Sequence, residues 1–579
     1  MLNLPRKIVP CKSFIYIFSY FFVNLFLLTH YPFVHSDEAW LSGLSRNWLI
    51  SHSITVTEPF FDLVPRSPHA IKLLFHLLQA SVFSIFGYGI YQARMISLSF
   101  GVASLLLFQQ VIKRFLGSDT GKKENDTIAF LFMVLLSLDP QFLASSHFAR
   151  QEIALLFFLL LGLNILLSQG KGDGRREGLH KGLKMGAVVT LAIGFHPAAF
   201  LVAAALFGAI LSRKRPLSRA IGFVTGCTVG GLLFMGISLI MNPGFIHDYQ
   251  SFGTSVEVMV PWYIKVIRFP HYYEKLWHSY SGTYFIPMMK PLLGLHALAF
   301  ALCMVKAFAG SRQARLPLFA LFGFNAALLF IGKYGPPLFA IALPLFYLAW
   351  AAAPRHPLLF HRCNSARSKV FRCAGLIAML SLIGVSTALS LTNILQEYQT
   401  GESYAVYRRN IETIVKKEEA EGRSKEKRMR LLANLNAEYA LPEGSFLDYR
   451  NLIHLRESGL DFSEYIRSRG ITHILYSQEL DFIYEKRPVW NILYGNVAAY
   501  YGEMKGFIAA HCTPVGSFTS PGYGMRIVSQ RGKRPWKITL YRVENDASVP
   551  SSGSMLLSSP VHAGAARSEQ EALSGHHPD

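Results

Sequence analysis

The sequence predicts an α-helical polytopic membrane protein of about eleven spanning helices, followed by a C-terminal soluble α/β domain. Three observations predict it. Of 579 residues, 51% are hydrophobic and 16% charged, and the mean hydropathy is +0.28, which is too apolar for an ordinary soluble enzyme. The apolar residues gather in runs of roughly 17 to 25, the length a helix needs to cross about 30 Å of hydrocarbon at 1.5 Å per residue. After Leu395 these runs stop, and mixed charged and apolar segments replace them.

The first run covers residues 14–34, behind a basic stub of Arg6, Lys7 and Lys12. It is long and lacks a small-residue cleavage site, so a retained anchor is expected rather than a removed signal peptide. Further spans are expected at 92–112, 127–145, 150–167, 221–241, 287–305, 316–332, 336–352 and 373–395. The run 185–211 is too long for one pass and is broken at His196-Pro197. It reads as two short passes meeting at the far side.

Basic residues concentrate in short cytoplasmic loops, and here they sort by side. The expected inner segments 1–13, 113–126, 168–184, 212–219, 306–315 and 354–372 hold 24 Lys plus Arg against 5 Asp plus Glu, a net of +19 within a chain of +21. The basic balance thus belongs to one membrane face, and a nucleic-acid partner is not expected. An inside N-terminus and an odd number of crossings put the loops around Asp37, Arg150 and His196, the segment 242–282 and the C-terminal domain outside, as in an inner-membrane protein with an extracytoplasmic domain.

Beyond the spans, 396–432 reads as a charged connector, helical over 404–435. ITHILYS and WKITLYRV read as strands and FSEYIRSRG as a helix, giving an α/β domain over 433–543. The Ser-, Gly-, Ala- and His-rich tail 544–579 reads as disordered. Of six cysteines only Cys512 falls in an outer domain, so no disulfide framework is implied.

Ionisable residues at the ends of spans are costly and are candidates for function. Asp37 and Glu38, in HSDEAW, follow the first span. A half-shielded carboxylate there could take a proton from a hydroxyl or hold a divalent cation; it could also cap the helix that begins at Ala39. Arg150 and Glu152 open a span on the same face, and the forked guanidinium of Arg150 suits a phosphate, with pairing to Glu152 the plainer reading. His196, at the tip of the broken pair, could donate to phosphate or ligate a metal, or be an ordinary loop residue. Arg66, Ser67, Pro68, His69 and Lys72 precede a half-inserted helix over 70–86 and could meet a lipid phosphate or anchor that helix. Trp262, Tyr263, Trp277, Tyr280 and Tyr284 read best as an interfacial aromatic belt.

This order of features resembles the membrane glycosyltransferases that take a sugar from a polyprenyl-phosphate carrier, the type that includes protein O-mannosyltransferases and the aminoarabinose transferase of lipid A. HSDEAW looks like their Asp-Glu motif, VPRSPHAIKLLFHLLQASVFSIFGYGIYQARMISLSFG like their juxtamembrane helix and second span, SLDPQFLASSHFARQEIALLFFLLLGL like their third and fourth spans, and GFHPAAFLV like their broken helix pair. The likeness covers most of the first 240 residues. It implies Asp37 as the catalytic carboxylate with Glu38 beside it, and Arg66, Arg150, Glu152 and His196 as substrate-binding residues. Glu152 stands where relatives often have Asp, which keeps the charge. The outer domain, with its LDYRNL segment, would bind acceptor or cover the cavity.

The implied partners are a polyprenyl-phosphate-linked sugar donor, a glycan, lipid or protein acceptor, and membrane lipid. The implied reaction is displacement at the anomeric carbon. No nucleotide cofactor is expected, since neither a Gly-rich phosphate loop nor an outer DxD is present; a divalent metal stays open. A transporter or lipid flippase is the alternative, but it calls for ionisable groups near mid-membrane and two related halves, and the acidic residues are expected at outer ends. A sensor would need a cytoplasmic output domain, for which the inner loops are too short.

Overall fold

The computed structural model describes residues 11–544 apart from 118–121, 169–173, 256–258, 280–283, 332–334, 353–365, 400–401, 422–428, 443, 487–496 and 524–531. The basic stub up to residue 10, Tyr280, much of the expected inner segment 354–372 and the expected tail beyond 544 lie outside the described residues.

The N-terminal part is a helical bundle. Its elements are α1 (Cys11–Leu27), α2 (Ser36–Ser51), α3 (Leu73–Phe86), α4 (Ile90–Leu116), α5 (Lys122–Ser137), α6 (Pro140–His147), α7 (Glu152–Leu167), α8 (Arg175–Ile193), α9 (Ala199–Leu211) and α10 (Pro216–Met241). There follow α11 (Phe245–Ser255), α12 (Trp262–His278), α13 (Lys290–Phe308), α14 (Arg312–Leu328), α15 (Phe339–Ala352) and α16 (Ala366–Gln399). Each expected span overlaps a helix, except that 127–145 is divided between two. Among the described residues, however, only four helices are long and apolar enough to cross a membrane unaided, α4, α10 and α13 among them, or five with the bent pair α5 and α6. The expected count of eleven is not reached on that criterion, because α1, α7, α9 and α15 have 17, 16, 13 and 14 residues.

The expected single span over 127–145 is two helices bent by 66°. The cause is Asp139-Pro140. Asp139 Oδ1 accepts the N–H groups of Gln141 (2.9 Å) and Phe142 (3.2 Å), and Pro140 fills the first helical position, a cap that starts a helix inside an apolar run. Asp139 is buried, and Tyr347 donates to its Oδ2 at 2.7 Å. The expectation that acidic residues keep to the ends of spans therefore fails at this one. Elsewhere small residues bring helices together: a Cβ on Gly186 of α8 would stand 2.7 Å from Gly226 Cα of α10, an approach only glycine permits.

The C-terminal part comprises α17 (Tyr404–Ala420), β1 (Leu431–Ala433), β2 (Phe446–Asp448), α18 (Phe462–Ser468), β3 (His473–Ser477), α19 (Glu479–Lys486), α20 (Tyr501–His511), β4 (Cys512–Ser520) and β5 (Trp536–Val543). The sheet order is β2-β1-β3-β5-β4, with β1 parallel to β2 and β3, and β5 antiparallel to β3 and β4. The charged helix expected over 404–435 stops at Ala420, and its Tyr404, Tyr407, Ile411 and Val415 pack in one core with Leu431, Leu475 and Leu540. That core also takes Phe33, Val34, Ala39, Phe60 and Phe61 from the chain around α2.

Residues 28–72 are therefore clamped between bundle and sheet domain. Phe60 O accepts the Asp448 N–H (3.1 Å) and the Asn451 side-chain amide (2.9 Å), and Asn451 Oδ1 accepts the N–H groups of Asp62 and Leu63 at 3.1 and 3.2 Å. The Tyr439 hydroxyl lies 3.0 Å from Glu38 O and 2.7 Å from Ser42 Oγ. One Asn amide thus holds the Phe60 carbonyl and the Asp62 and Leu63 N–H groups together.

Candidate active site

The sequence HSDE begins α2 with a capping box. His35 Nδ1 accepts the Asp37 N–H at 3.0 Å, and Glu38 Oε1 accepts the His35 N–H at 2.9 Å, which satisfies donors that a helix start leaves open. The two carboxylates then part company. Glu38 turns into the protein, where Arg94 of α4 donates Nε to Oε2 (2.8 Å) and Nη2 to Oε1 (2.7 Å), and the Ala149 N–H reaches Oε2 at 2.8 Å. Neither Arg94 nor Glu38 exposes its side chain to solvent. Arg94 Nη1 also donates to Leu28 O and Pro32 O, both at 2.8 Å. The Arg94–Glu38 pair therefore fixes the end of α1, the start of α2 and, through Glu38, the chain leading to Arg150.

Asp37 keeps partial exposure, 18% for its side chain. Its Oδ2 accepts from Arg150 Nη1 and from the Tyr284 hydroxyl, each at 2.6 Å, and Tyr284 lies 2.7 Å from Arg150 Nη1. Arg150 Nη2 meets Glu152 Oε1 at 3.0 Å, and its Nε–H has no acceptor among the described residues. Burial would raise the Asp37 carboxyl, but His35, Arg150, the Tyr284 hydrogen bond and Arg450 outweigh it and hold the group well below the usual carboxylate range. Since His35 Nδ1 is the acceptor of a backbone N–H, the constant part of that attraction is Arg150.

Arg66, expected at a substrate phosphate, is instead forked onto Glu58 at 3.0 and 2.6 Å, with Trp40 Nε1 donating to the same carboxylate at 2.5 Å. Burial opposes ionisation of Glu58, but the Arg66 charge and these hydrogen bonds bring it down to about 2. Arg450, in the LDYRNL segment after β2, stacks over the same Trp40 at 4.5 Å and over Phe61 at 5.5 Å. The sheet domain thus reaches the edge of the site with one cation.

Lys72 precedes α3 in the left-handed region (φ +75°), costly for an L-residue. Its N–H donates to Ile193 O (3.4 Å) and that of Phe75 to Gly194 O (3.0 Å), which docks α3 on the α8–α9 tip carrying His196. Among the described residues no carboxylate pairs with the Lys72 ammonium. Burial, then repulsion from Arg66 and Arg150, draws it down to about 8. His196 Nδ1 accepts the Ala198 N–H at 3.0 Å, so the neutral ring carries its proton on Nε2. Burial first, then Lys72 and Arg150, keep it neutral.

Asp37, Arg150 and Glu152 are thus in direct contact, and Lys72 and His196 share their field. Tyr284, read from sequence as part of an aromatic belt, bonds Asp37, whereas Trp262 and Tyr263 are exposed on α12. Arg94 was legible in principle, as a lone Arg inside an apolar run. A small cavity of about 20 Å³ opens beside His35, lined by Pro32, Phe33, Gln141, Ser145, Phe148 and Phe285 among others. Among the described residues no three His, Cys, Asp or Glu side chains converge as metal ligands. Arg150 already supplies the positive charge between Asp37 and Glu152, so these residues as arranged do not fit a divalent ion.

No protein-family model and no curated protein matches the chain. Solved structures do. The Archaeoglobus fulgidus oligosaccharyltransferase tethered with an acceptor peptide containing the NVT sequon aligns over 84% of this chain and 72% of its own, with TM-score 0.50 and 11% identity. Its apo form aligns over 82% and 71%, with TM-score 0.50 and 12% identity. ArnT from Cupriavidus metallidurans bound to undecaprenyl phosphate aligns over 81% and 96%, with TM-score 0.46 and 12% identity. At such identities the likeness is one of architecture: this chain, a helical bundle followed by a C-terminal domain built on a sheet, shares its fold with the Archaeoglobus fulgidus oligosaccharyltransferase.

Proposed function

We propose that this protein is a membrane glycosyltransferase that moves a hexosyl or pentosyl group from a polyprenyl-phosphate carrier to an acceptor hydroxyl. It would act at the outer face of the cytoplasmic membrane, with the N-terminus inside, about eleven crossings and the sheet domain outside. The observation that carries the reading is a partly exposed carboxylate, Asp37, joined to Arg150 and Tyr284 within the field of an unpaired Lys72.

In the proposed reaction Asp37 takes the acceptor proton, the acceptor oxygen bonds to the anomeric carbon from the face opposite the carrier, and the bond from that carbon to the phosphate oxygen breaks. The electron pair leaves with the lipid phosphate, so the anomeric centre inverts. Arg150, Lys72 and the His196 Nε2–H are the candidates to meet the charge that develops on the phosphate, which lowers the barrier more than it tightens ground-state binding. A carboxylate held so far down is a weak base. Arrival of a phosphate would draw Arg150 away from Asp37 and raise its basicity, so donor binding would switch on the base. Glu38, with both oxygens engaged, is assigned as a positioning residue, and Arg66 as a brace for the Trp40 and Glu58 wall.

The experiment is transfer of radiolabel from a panel of polyprenyl-phosphate sugars to membrane extracts by the intact protein and by Asp37→Asn. Transfer by the intact protein alone supports the base and names the sugar. Equal transfer by both reduces Asp37 to a structural role, and no transfer with any donor overturns the reading in favour of a transporter.

A further inference from the structure

The helices that carry the Asp37 site carry a second constellation at their other ends. On α4, Arg94 braces Glu38 while Arg114 stands 20 residues on, about 30 Å away along a helix, the thickness of the hydrocarbon layer. On α7, Glu152 begins the helix beside Arg150, and Asn164 and Ser168 end it. There a cavity of about 410 Å³ opens between α4, α7 and α8.

Its lining is basic. Arg114 Nη1 donates to Asn164 O at 2.6 Å, and Lys181 Nζ to Ser168 O at 2.7 Å, so both cations close the C-terminal carbonyls of α7. Lys181 also meets Glu177 at 3.1 Å, the one acidic side chain of the lining. Lys184 and His180 line the cavity without a carboxylate partner among the described residues. Asn164 Oδ1 is shut away from solvent with no donor among the described residues.

We propose that this cavity binds a phosphate-bearing headgroup. Arg114, Lys181 and Lys184 line it and face the phosphate oxygens. The phosphate is that of an anionic phospholipid of the leaflet opposite Asp37 or a free anion, and the test separates the two sources. The site rests on the chain being a membrane protein and is independent of the transferase reading.

The test uses the full chain in nanodiscs of phosphatidylcholine with a minor fraction of phosphatidylglycerol, followed by release and native mass spectrometry. The intact protein is expected to retain phosphatidylglycerol at least about fivefold over phosphatidylcholine. Lys184→Glu, an exposed change, should abolish that preference, whereas Lys537→Glu, an exposed change of equal charge on the sheet domain, should leave it. Parallel titration of lipid-free protein with inorganic phosphate separates the sources: binding that Lys184→Glu removes supports the site with a soluble ligand, and retention of lipid without phosphate binding supports the lipid. Equal retention of the two lipids with no phosphate binding, or loss of preference in Lys537→Glu as well, overturns the proposal.

Discussion

The two ends of α4 and α7 use charge in opposite ways. Around Asp37 the charged groups are buried and interlocked: Glu38 with Arg94, Asp37 with Arg150 and Glu152, Glu58 with Arg66. At the far end Arg114 and Lys184 are exposed to solvent. Burial multiplies what each charge is worth, because low dielectric strengthens an attraction and equally punishes its loss. Water at the far end screens the same interactions to a fraction of that. One end therefore fixes geometry, and the other is free to exchange partners.

The largest expected effect comes from removing the Asp37 charge. Asp37→Asn should lower sugar transfer by roughly 10²- to 10⁴-fold, the usual contribution of a general base, with a smaller drop in the detergent unfolding midpoint than Arg94→Met, since Arg150 keeps Glu152 as a partner; radiolabel transfer against the melting midpoint checks the split. Next is Arg94→Met, which leaves Glu38 buried and uncompensated and should cost about 3–5 kcal/mol, read as a lower unfolding midpoint. Its counterpart at the other end, Arg114→Met, should cost no more than about 0.5 kcal/mol. Similar losses for the two would erase the distinction between the ends.

Glu58 gives a smaller, pH-gated effect. Its folded value of about 2 lies below its ordinary value of 4.5, so its stabilising contribution is complete above about pH 4.5 and is lost as pH falls toward 2. Acid unfolding of Glu58→Gln should be correspondingly flatter over that window, whereas the parent loses up to about 3 kcal/mol across it. The smallest effect concerns Lys72. With its ammonium drawn down to about 8, donor affinity should weaken severalfold as pH rises past 8, and Lys72→Arg, which stays charged, should keep KM flat over the same range.

Part of this was legible in the sequence for a physical reason. Apolar run length and charge at span ends report directly on the bilayer, so the helices, the Asp37 and Arg150 segments and the strands at 473–477 and 536–543 stand out. What was hidden depends on partners distant in the chain. Glu38 reads as a charge beside Asp37, but only Arg94, 56 residues away, reveals that its oxygens are occupied. Tyr284 reads as one interfacial aromatic among several, and its bond to Asp37 spans 247 residues. Asp139 was hidden for another reason: Asp-Pro inside an apolar run is a helix-start signal, and average hydropathy over the run outweighs it.

Asn451 reaches back 391 residues to hold the carbonyl of Phe60. At synthesis rates of ~5–20 residues per second, the chain around Asp37 waits on the order of 20–80 s for the partner that completes it. Arg94, Arg150 and Tyr284 are made within that interval, so toward its end the Asp37 segment has its bundle contacts but no roof. A ribosome stalled before β2 would leave a membrane-inserted chain that keeps its carboxylate and lacks its wall.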